Sequence, residues 1–269
     1  MENKATLLEM RNIDKSFPGV HALKEVDFVL ESGQVHILLG ENGAGKSTLI
    51  KILAGIYQSD SGEILLEGSP TVIPDARTGR DLGISVIYQE LNLVPDLSVA
   101  KNIYLGREPV LPGFLKKVDW EHVERESREV MKRLDVDIDI LAPVRSLSVA
   151  DQQMVEIARA LAFDCKILVM DEPTSSLSGH EIHELFNAVA RLREQGVGII
   201  YISHRLDEVH QIGDQVTVLR DGDYIGSWDV NEVDLDFLIT QMVGRTLDEK
   251  FPWTPRGRGE VALKVNGLT

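Results

Sequence analysis

The sequence predicts an α/β fold with a parallel core, an antiparallel β layer and a helical insertion. Three observations predict it. An apolar run, residues 35–39, enters a glycine-rich loop and leaves it as an apolar helical pattern, residues 49–54. From Ile167 onward, short apolar runs alternate with amphipathic stretches, as parallel strands and crossover helices do. Between these lies a charge-rich block whose apolar spacing is helical.

In chain order, residues 7–13 alternate as an edge strand, Ser16-Phe17-Pro18-Gly19 turns, and 22–30 read as a second strand. Glu31-Ser32-Gly33-Gln34 is a hairpin-like turn into the strand at 35–39. Ser61-Gly62 opens a strand over 63–67, and 84–88 is another. Short turns between these early strands predict antiparallel pairing. From Leu97 to Leu134 the pattern turns helical, with Asp119 as N-cap of a long amphipathic helix. Ser148 begins another helix, with Met154, Val155, Ile157, Ala158 and Leu161 on its apolar face. Strands at 167–170 and 197–202 alternate with helices at 181–193 and 207–211. Strands at 216–219 and 224–227 flank an Asp221-Gly222 turn, and 235–243 is a closing helix.

The organising loop reads Gly40-Glu41-Asn42-Gly43-Ala44-Gly45-Lys46-Ser47-Thr48. Strand, glycine-rich loop and helix in this order are the setting of a P-loop, which sharpens the fold class to a P-loop nucleoside triphosphatase. The glycines let successive N–H groups turn inward around an anion. The helix N-terminus adds partial positive charge at the same place. Lys46 can reach the β- and γ-phosphates, and the Ser47 hydroxyl can ligate Mg²⁺. All nine residues are candidates for binding ATP.

Residues 167–170 form an apolar strand that ends in Asp171-Glu172. A P-loop sheet needs an acid at such a strand end to hold Mg²⁺, the role that fits Asp171. Glu172, one residue on, can orient or deprotonate an attacking water. Ser148, with Asp151 three residues later, reads either as a helix cap or as an anion site at a helix N-terminus.

Composition bounds the function. The chain has 269 residues, 43% of them hydrophobic and 26% charged, with a net charge of −15. That charge speaks against electrostatic binding of nucleic acid or of an anionic membrane surface. The one cysteine, Cys165, cannot form an internal disulfide, which points to a reducing compartment, and it reads as core. Residues 1–4 lack the features of a signal peptide, and no apolar run approaches the ~20 residues of a membrane span. A membrane role is therefore expected to go through a partner.

With these residues in place, the chain resembles the ABC ATPases. The P-loop, Gln89 after a strand, Leu147-Ser148, Asp171-Glu172-Pro173-Thr174-Ser175 and Ser203-His204 occur in that family's order. Asn102-Ile103-Tyr104-Leu105-Gly106-Arg107-Glu108 and Gln152-Gln153-Met154-Val155-Glu156-Ile157-Ala158 are most similar to the ATP-binding subunits of bacterial monosaccharide importers of the ribose, xylose and galactose type, the ribose importer above all. The resemblance implies that Phe17 stacks on adenine, with an ordinary loop aromatic as the other reading. It implies that Gln89 touches Mg²⁺ or the attacking water and links the nucleotide to the helical insertion, and that His204 hydrogen-bonds the γ-phosphate. It also implies two domains sandwiching two ATP molecules head to tail, each P-loop facing the other domain's Ser148 helix. Two positions depart from the family: Asp151 stands where Gln is usual, and Ser178 where Asp is usual.

Those subunits carry two such domains. Residues 1–250 are accordingly expected to form one ABC ATPase domain, with a helical subdomain at about 91–163. The Pro- and Gly-containing stretch 251–260 reads as a linker. Residues 261–269 repeat the pattern of 7–14 and read as the start of a truncated second domain, or as an unrelated strand. The expected function is an ATP-hydrolysing subunit that energises monosaccharide import, ribose by the resemblance, through a membrane permease. A periplasmic sugar-binding protein would be an indirect partner, nucleic acid no partner, and the location the cytoplasmic side of the bacterial inner membrane. The alternatives are a soluble ABC ATPase acting on ribosomes or DNA, and a nucleotide-binding regulatory module without turnover.

Overall fold

A computed structural model describes residues 5–114, 116–244 and 267. The expected linker at 251–260 and second-domain start at 261–269 lie outside the described residues, Gly267 apart. β1 (Thr6–Phe17) and β2 (Val20–Glu31) form an antiparallel hairpin. β3 (Val35–Leu39) leads into α1 (Lys46–Leu53). Next come β4 (Ser61–Leu66), β5 (Ser69–Pro70), α2 (Ala76–Asp81) and β6 (Ile84–Ile87). The insertion holds α3 (Val99–Ile103), α4 (Trp120–Leu134) and α5 (Val149–Leu161). The chain then runs through β7 (Ile167–Asp171), α6 (Gly179–Glu194), β8 (Gly198–Ile202), α7 (Leu206–Ile212), β9 (Gln215–Arg220), β10 (Asp223–Asp229) and α8 (Leu235–Val243).

The sheet order is β5-β4-β1-β2-β10-β9-β3-β8-β7-β6. β9, β3, β8, β7 and β6 are mutually parallel, and β10 returns antiparallel to β9. β5, β4, β1 and β2 form the antiparallel wing, joined to the core by the Asp223–Lys24 bridge. The two-residue Asp221-Gly222 turn between β9 and β10 has φ of 52° and 83°, positive at both residues as the predicted hairpin turn requires.

Three expectations are corrected. β1 is not an edge strand, because β2 and β4 flank it. Alternation reports which face of a strand is buried, not which strands stand beside it. β3 and β6 are parallel core strands, and Glu31–Gln34 closes no hairpin, since β3 pairs with β8 and β9. All five β3 residues are buried, as expected of a parallel strand covered on both faces. Residues 97–134 are not helical throughout. Pro109, Pro112 and Gly113 interrupt the helix, and the segment between α3 and α4 makes a Val110–Val118 bridge instead. Asp119 does cap α4, accepting from the His122 N–H at 3.0 Å.

Two apolar cores flank the parallel sheet. Leu49, Ile50, Ile52 and Leu53 of α1 pack with Leu38, Leu8 and Met10, so α1 lies between the wing and the sheet. Each such side chain contributes about 1.5–3 kcal/mol by leaving water. On the opposite face Ile37 and Leu39 pack with residues of α3, α4, α5 and α6. Cys165 is buried among them, and burial pushes its thiol up to about 11.

Candidate functional site

The loop after β3 demands glycine at two positions. A Cβ on Gly40 would lie 2.4 Å from the Leu219 carbonyl oxygen and 2.8 Å from the Ala44 Cβ. A Cβ on Gly45, where φ is +105°, would lie 2.7 Å from the Ala22 carbonyl oxygen. Gly45 is the N-cap of α1 and supplies no side chain to it, so the first-turn N–H groups are capped by no side chain of that residue. The loop is also held from the turn between β9 and β10, where the Gly222 N–H donates to the Ala44 carbonyl at 3.2 Å.

Lys46 is buried, 8% exposed, yet makes no ion pair among the described residues. Its Nζ donates to the loop's own carbonyls, Gly40 at 2.7 Å and Glu41 at 3.1 Å. Burial holds its ammonium below the usual lysine range, and the charges of Glu172 and Asp171 partly restore it. A buried cation that bonds only neutral carbonyls fits an incoming polyanion. Glu41, Asn42, Gly43 and Ser47 are exposed, Ala44 is buried and Thr48 is half-buried.

The acids arrive on β7. Asp171 pairs in register with Ile202, is half-buried, and has its carboxyl raised by burial and by Glu172, against the pull of Lys46 and Lys51. Glu172 takes a left-handed backbone, φ 49°, with its N–H bonded to the Ile202 carbonyl at 3.0 Å. For a residue with a Cβ this costs about 1–2 kcal/mol. Such strain persists where the surroundings over-determine it, commonly at functional sites.

The strain aims the Glu172 carboxylate between two neighbours. Oε2 accepts from Gln89 Nε2 at 3.3 Å, and Oε1 lies 3.1 Å from His204 Nδ1. Gln89 follows β6, Glu172 follows β7 and His204 follows β8, which are adjacent in the sheet, with β3 and its loop next beside β8. Lys46, His204, the acids and Gln89 thus gather at the carboxyl ends of neighbouring parallel strands, where open α/β sheets bind ligands.

Phe17 and Ser148 are not brought into this group. Phe17, at the end of β1, is half-buried edge-on against Tyr57, ring centroids 5.3 Å apart, with Lys15 Nζ over its face. Ser148 caps α5. Its hydroxyl donates to Asp151 Oδ2 at 2.8 Å and accepts from the Asp151 N–H at 3.1 Å. Ser178 pairs with Glu181, its N–H and hydroxyl both donating to Oε2.

Three further residues belong near the site. Glu156 and Arg159 of α5 hold Asn92 by its backbone, Glu156 accepting from the N–H at 2.9 Å and Arg159 donating to the carbonyl at 3.2 Å. They tie the helical insertion to the segment after Gln89. Glu208 of α7 is 1% exposed and bonded to hydroxyls from two segments. In sequence it is one more acid beside Leu206 and Val209, with no motif to mark it.

Among the described residues no group of three or more His, Cys, Asp or Glu could hold a metal by itself. Magnesium asks for less, taking one or two protein oxygens and filling its shell with water and phosphate. The exposed Ser47 and half-buried Asp171 are oxygen donors of that kind.

A family model described as ABC transporter matches residues 23–175. The chain is 54% identical over 262 residues to the ribose import ATP-binding protein RbsA 1 of Rubrobacter xylanophilus, covering 97% of this chain and 52% of that protein. It is 51% identical over 264 residues to a putative ribose/galactose/methyl galactoside import ATP-binding protein 2 of Burkholderia cenocepacia, covering 98% and 51%. The chain thus spans about half the length of the curated relatives it matches. Among solved structures, an ATP-binding cassette of an ABC transporter in its ADP conformation superposes with a TM-score of 0.78 at 26% identity, over 89% of this chain and 99% of that one. A nucleotide-free cassette gives 0.76 at 26% identity, over 89% and 96%.

Proposed function

The chain belongs to the ABC transporter family, and on that premise we propose that it binds Mg²⁺-ATP and hydrolyses it to drive import of a monosaccharide. The observation that carries the reading is the convergence of Gln89, Glu172 and His204 beside the Lys46 loop.

The roles follow from the positions. The backbone of 40–48 cradles the phosphates, and Lys46 exchanges the Gly40 and Glu41 carbonyls for phosphate oxygens. Ser47, Asp171 and Gln89 would hold magnesium, which supplies Lewis-acid charge against the phosphates. Glu172 accepts the proton of the attacking water, with Gln89 and His204 fixing its carboxylate from either side. His204, exposed at the strand end, is placed to hydrogen-bond the γ-phosphate. Phe17 supplies an aromatic surface for adenine. Ser148 at the N-terminus of α5 serves the nucleotide of a second ABC domain, which in such subunits lies on the same polypeptide.

The sugar-import part of the reading is supported by the printed names of relatives at 51–54% identity. Among the described residues no helix is long and apolar enough to cross a membrane. We therefore assign transport itself to membrane permease subunits, fed by a periplasmic sugar-binding protein. The chain would sit peripherally on the cytoplasmic side of the inner membrane.

Two substitutions test the chemistry. Lys46→Ala should weaken ATP binding about 10- to 100-fold, the worth of a lost hydrogen bond from a charged donor. Unchanged affinity would remove the loop from nucleotide binding. Glu172→Gln should bind ATP as the parent does and turn it over roughly 10²-fold more slowly or worse. Equal phosphate release by both would remove Glu172 from the mechanism.

A further inference from the structure

We infer that Glu208 is a positioning residue that clips together the two loops carrying Glu172 and His204. The inference rests on the ATP-hydrolysis reading above for its kinetic part and on geometry alone for its mechanical part.

The Glu208 carboxylate is 1% exposed and has donors on both oxygens. Oε1 accepts from Thr174 Oγ1 at 2.6 Å and lies 3.5 Å from Arg205 Nε. Oε2 accepts from Ser203 Oγ at 2.6 Å and from the Tyr201 hydroxyl at 3.1 Å. Thr174, Tyr201 and Ser203 are themselves buried, at 3%, 0% and 2% exposure. Burial and the Glu208 charge keep the Tyr201 phenol protonated and donating.

These donors stand at telling places. Thr174 is two residues after Glu172 in the loop leaving β7, and the Ser175 N–H in that loop bonds back to the Glu172 carbonyl at 3.2 Å. Ser203 immediately precedes His204, and Arg205, which immediately follows it, donates its N–H to Ser203 Oγ at 2.9 Å. His204 is therefore bracketed by two residues tied to the clip. Glu172 is tied to it through the next turn of its own loop. Among the described residues no hydrogen bond joins the clip to the Lys46 loop, whose contacts run to β2, β9 and the turn between β9 and β10.

The chemistry asks for a carboxylate. It has two oxygens with about four acceptor sites and no donor, so it can receive hydroxyls from both loops at once. An amide keeps the shape but turns one end into a donor, which weakens the hold on one loop. A carboxylate this deeply buried costs free energy unless it is fully bonded, so the clip is either closed on both loops or disfavoured.

The experiment compares the whole chain with Glu208→Gln, and with Thr174→Val and Ser203→Ala as variants that each release one loop. In the absence of nucleotide, amide exchange in residues 174–177 and 203–206 should rise roughly 10-fold or more in Glu208→Gln, while residues 40–48 stay at the parent rate. The turnover number for ATP should fall roughly 10- to 100-fold, the scale of a misplaced reacting group, with the affinity for ATP unchanged within about threefold. Adding Ser203→Ala to Glu208→Gln should cost little more than either alone, because both open the same clip. Unchanged exchange in the two loops overturns the inference whatever the activity. Faster exchange with an unchanged turnover number, or with lower melting temperature and unchanged turnover per folded molecule, overturns the positioning role. Should the parent chain hydrolyse no ATP, the functional reading fails separately, and the exchange measurement alone decides whether the clip exists.

Discussion

At the scale of single residues, the sharpest energetic statement concerns His36. Its ring is buried, with Nδ1 2.7 Å from the Val29 carbonyl and Nε2 2.7 Å from Thr217 Oγ1. The carbonyl can only accept, so Nδ1 carries the proton and Nε2 accepts from Thr217. Burial lowers the imidazole to about 4 from its ordinary 6.5. In the unfolded chain the ring takes up a proton below pH 6.5 that the folded chain refuses until pH 4. Stability is therefore full above about pH 6.5, falls as pH drops from 6.5 to 4, and levels off below, by about 3 kcal/mol in all. Urea denaturation between pH 7 and 5 should show about 2 kcal/mol of this loss in the parent and none of it in His36→Gln. Parallel curves would mean that His36 already charges in the fold. The same scale shows what could be read in advance. Lys46, Ser47, Asp171 and Glu172 were legible because each sits in a short motif whose geometry is local. Glu208 was not, because its partners, Thr174 and Ser203, lie on other segments and its neighbours in sequence suggest only a surface helix.

At the scale of elements, the N-terminus of α5 holds a conflict. Ser148 has one proton, and it is donated to Asp151. The sequence leaves both readings of this turn open, and the cap is what this chain forms. An anion arriving at this end of the helix meets a carboxylate already there, a penalty of about 1 kcal/mol at a partly screened surface. Asp151→Gln should therefore strengthen ATP-dependent pairing of domains about fivefold and raise turnover in the site that uses this helix, more at low salt than at moderate salt. Sedimentation with ATP, run beside phosphate release, checks it. No change at either salt, or weaker pairing, would leave Asp151 as a cap alone. Element existence was well marked elsewhere. α8 runs Leu235–Val243 as its periodicity indicates, and α7 differs by one residue at each end. α2 leaves no mark in the sequence, because it is one short polar turn and a half, capped by Asp75, with no apolar stripe to announce it.

For the whole molecule, net charge sets the terms of self-association. On the reading proposed above, a chain of charge −15 that pairs with a second copy to complete a nucleotide site does so against repulsion. Turnover per molecule in this chain should rise with protein concentration, and salt near 0.15 M, where screening acts within about 8 Å, should lower the concentration needed. Full-speed, concentration-independent hydrolysis by a monomer would contradict this. Topology was the least legible level. The apolar run of β3 showed a buried strand, but its neighbours β8 and β9 are set by segments far along the chain, and no turn chemistry near residues 31–34 could reveal them.

That long reach governs how the protein is made. His36 and Thr217, bonded across β3 and β9, are 181 residues apart in sequence. A ribosome adding about 5–20 residues per second takes roughly 10–35 s to make that interval. For most of it, until residue 202, β3 has been translated and neither of its partner strands is complete, so a central strand waits with both edges unpaired. The glycine loop behind it waits as well, because its brace at Gly222 is translated after β9. The nascent chain is thus most exposed to aggregation over its first two hundred residues or so, and nucleotide can help it fold only once residue 222 has been made.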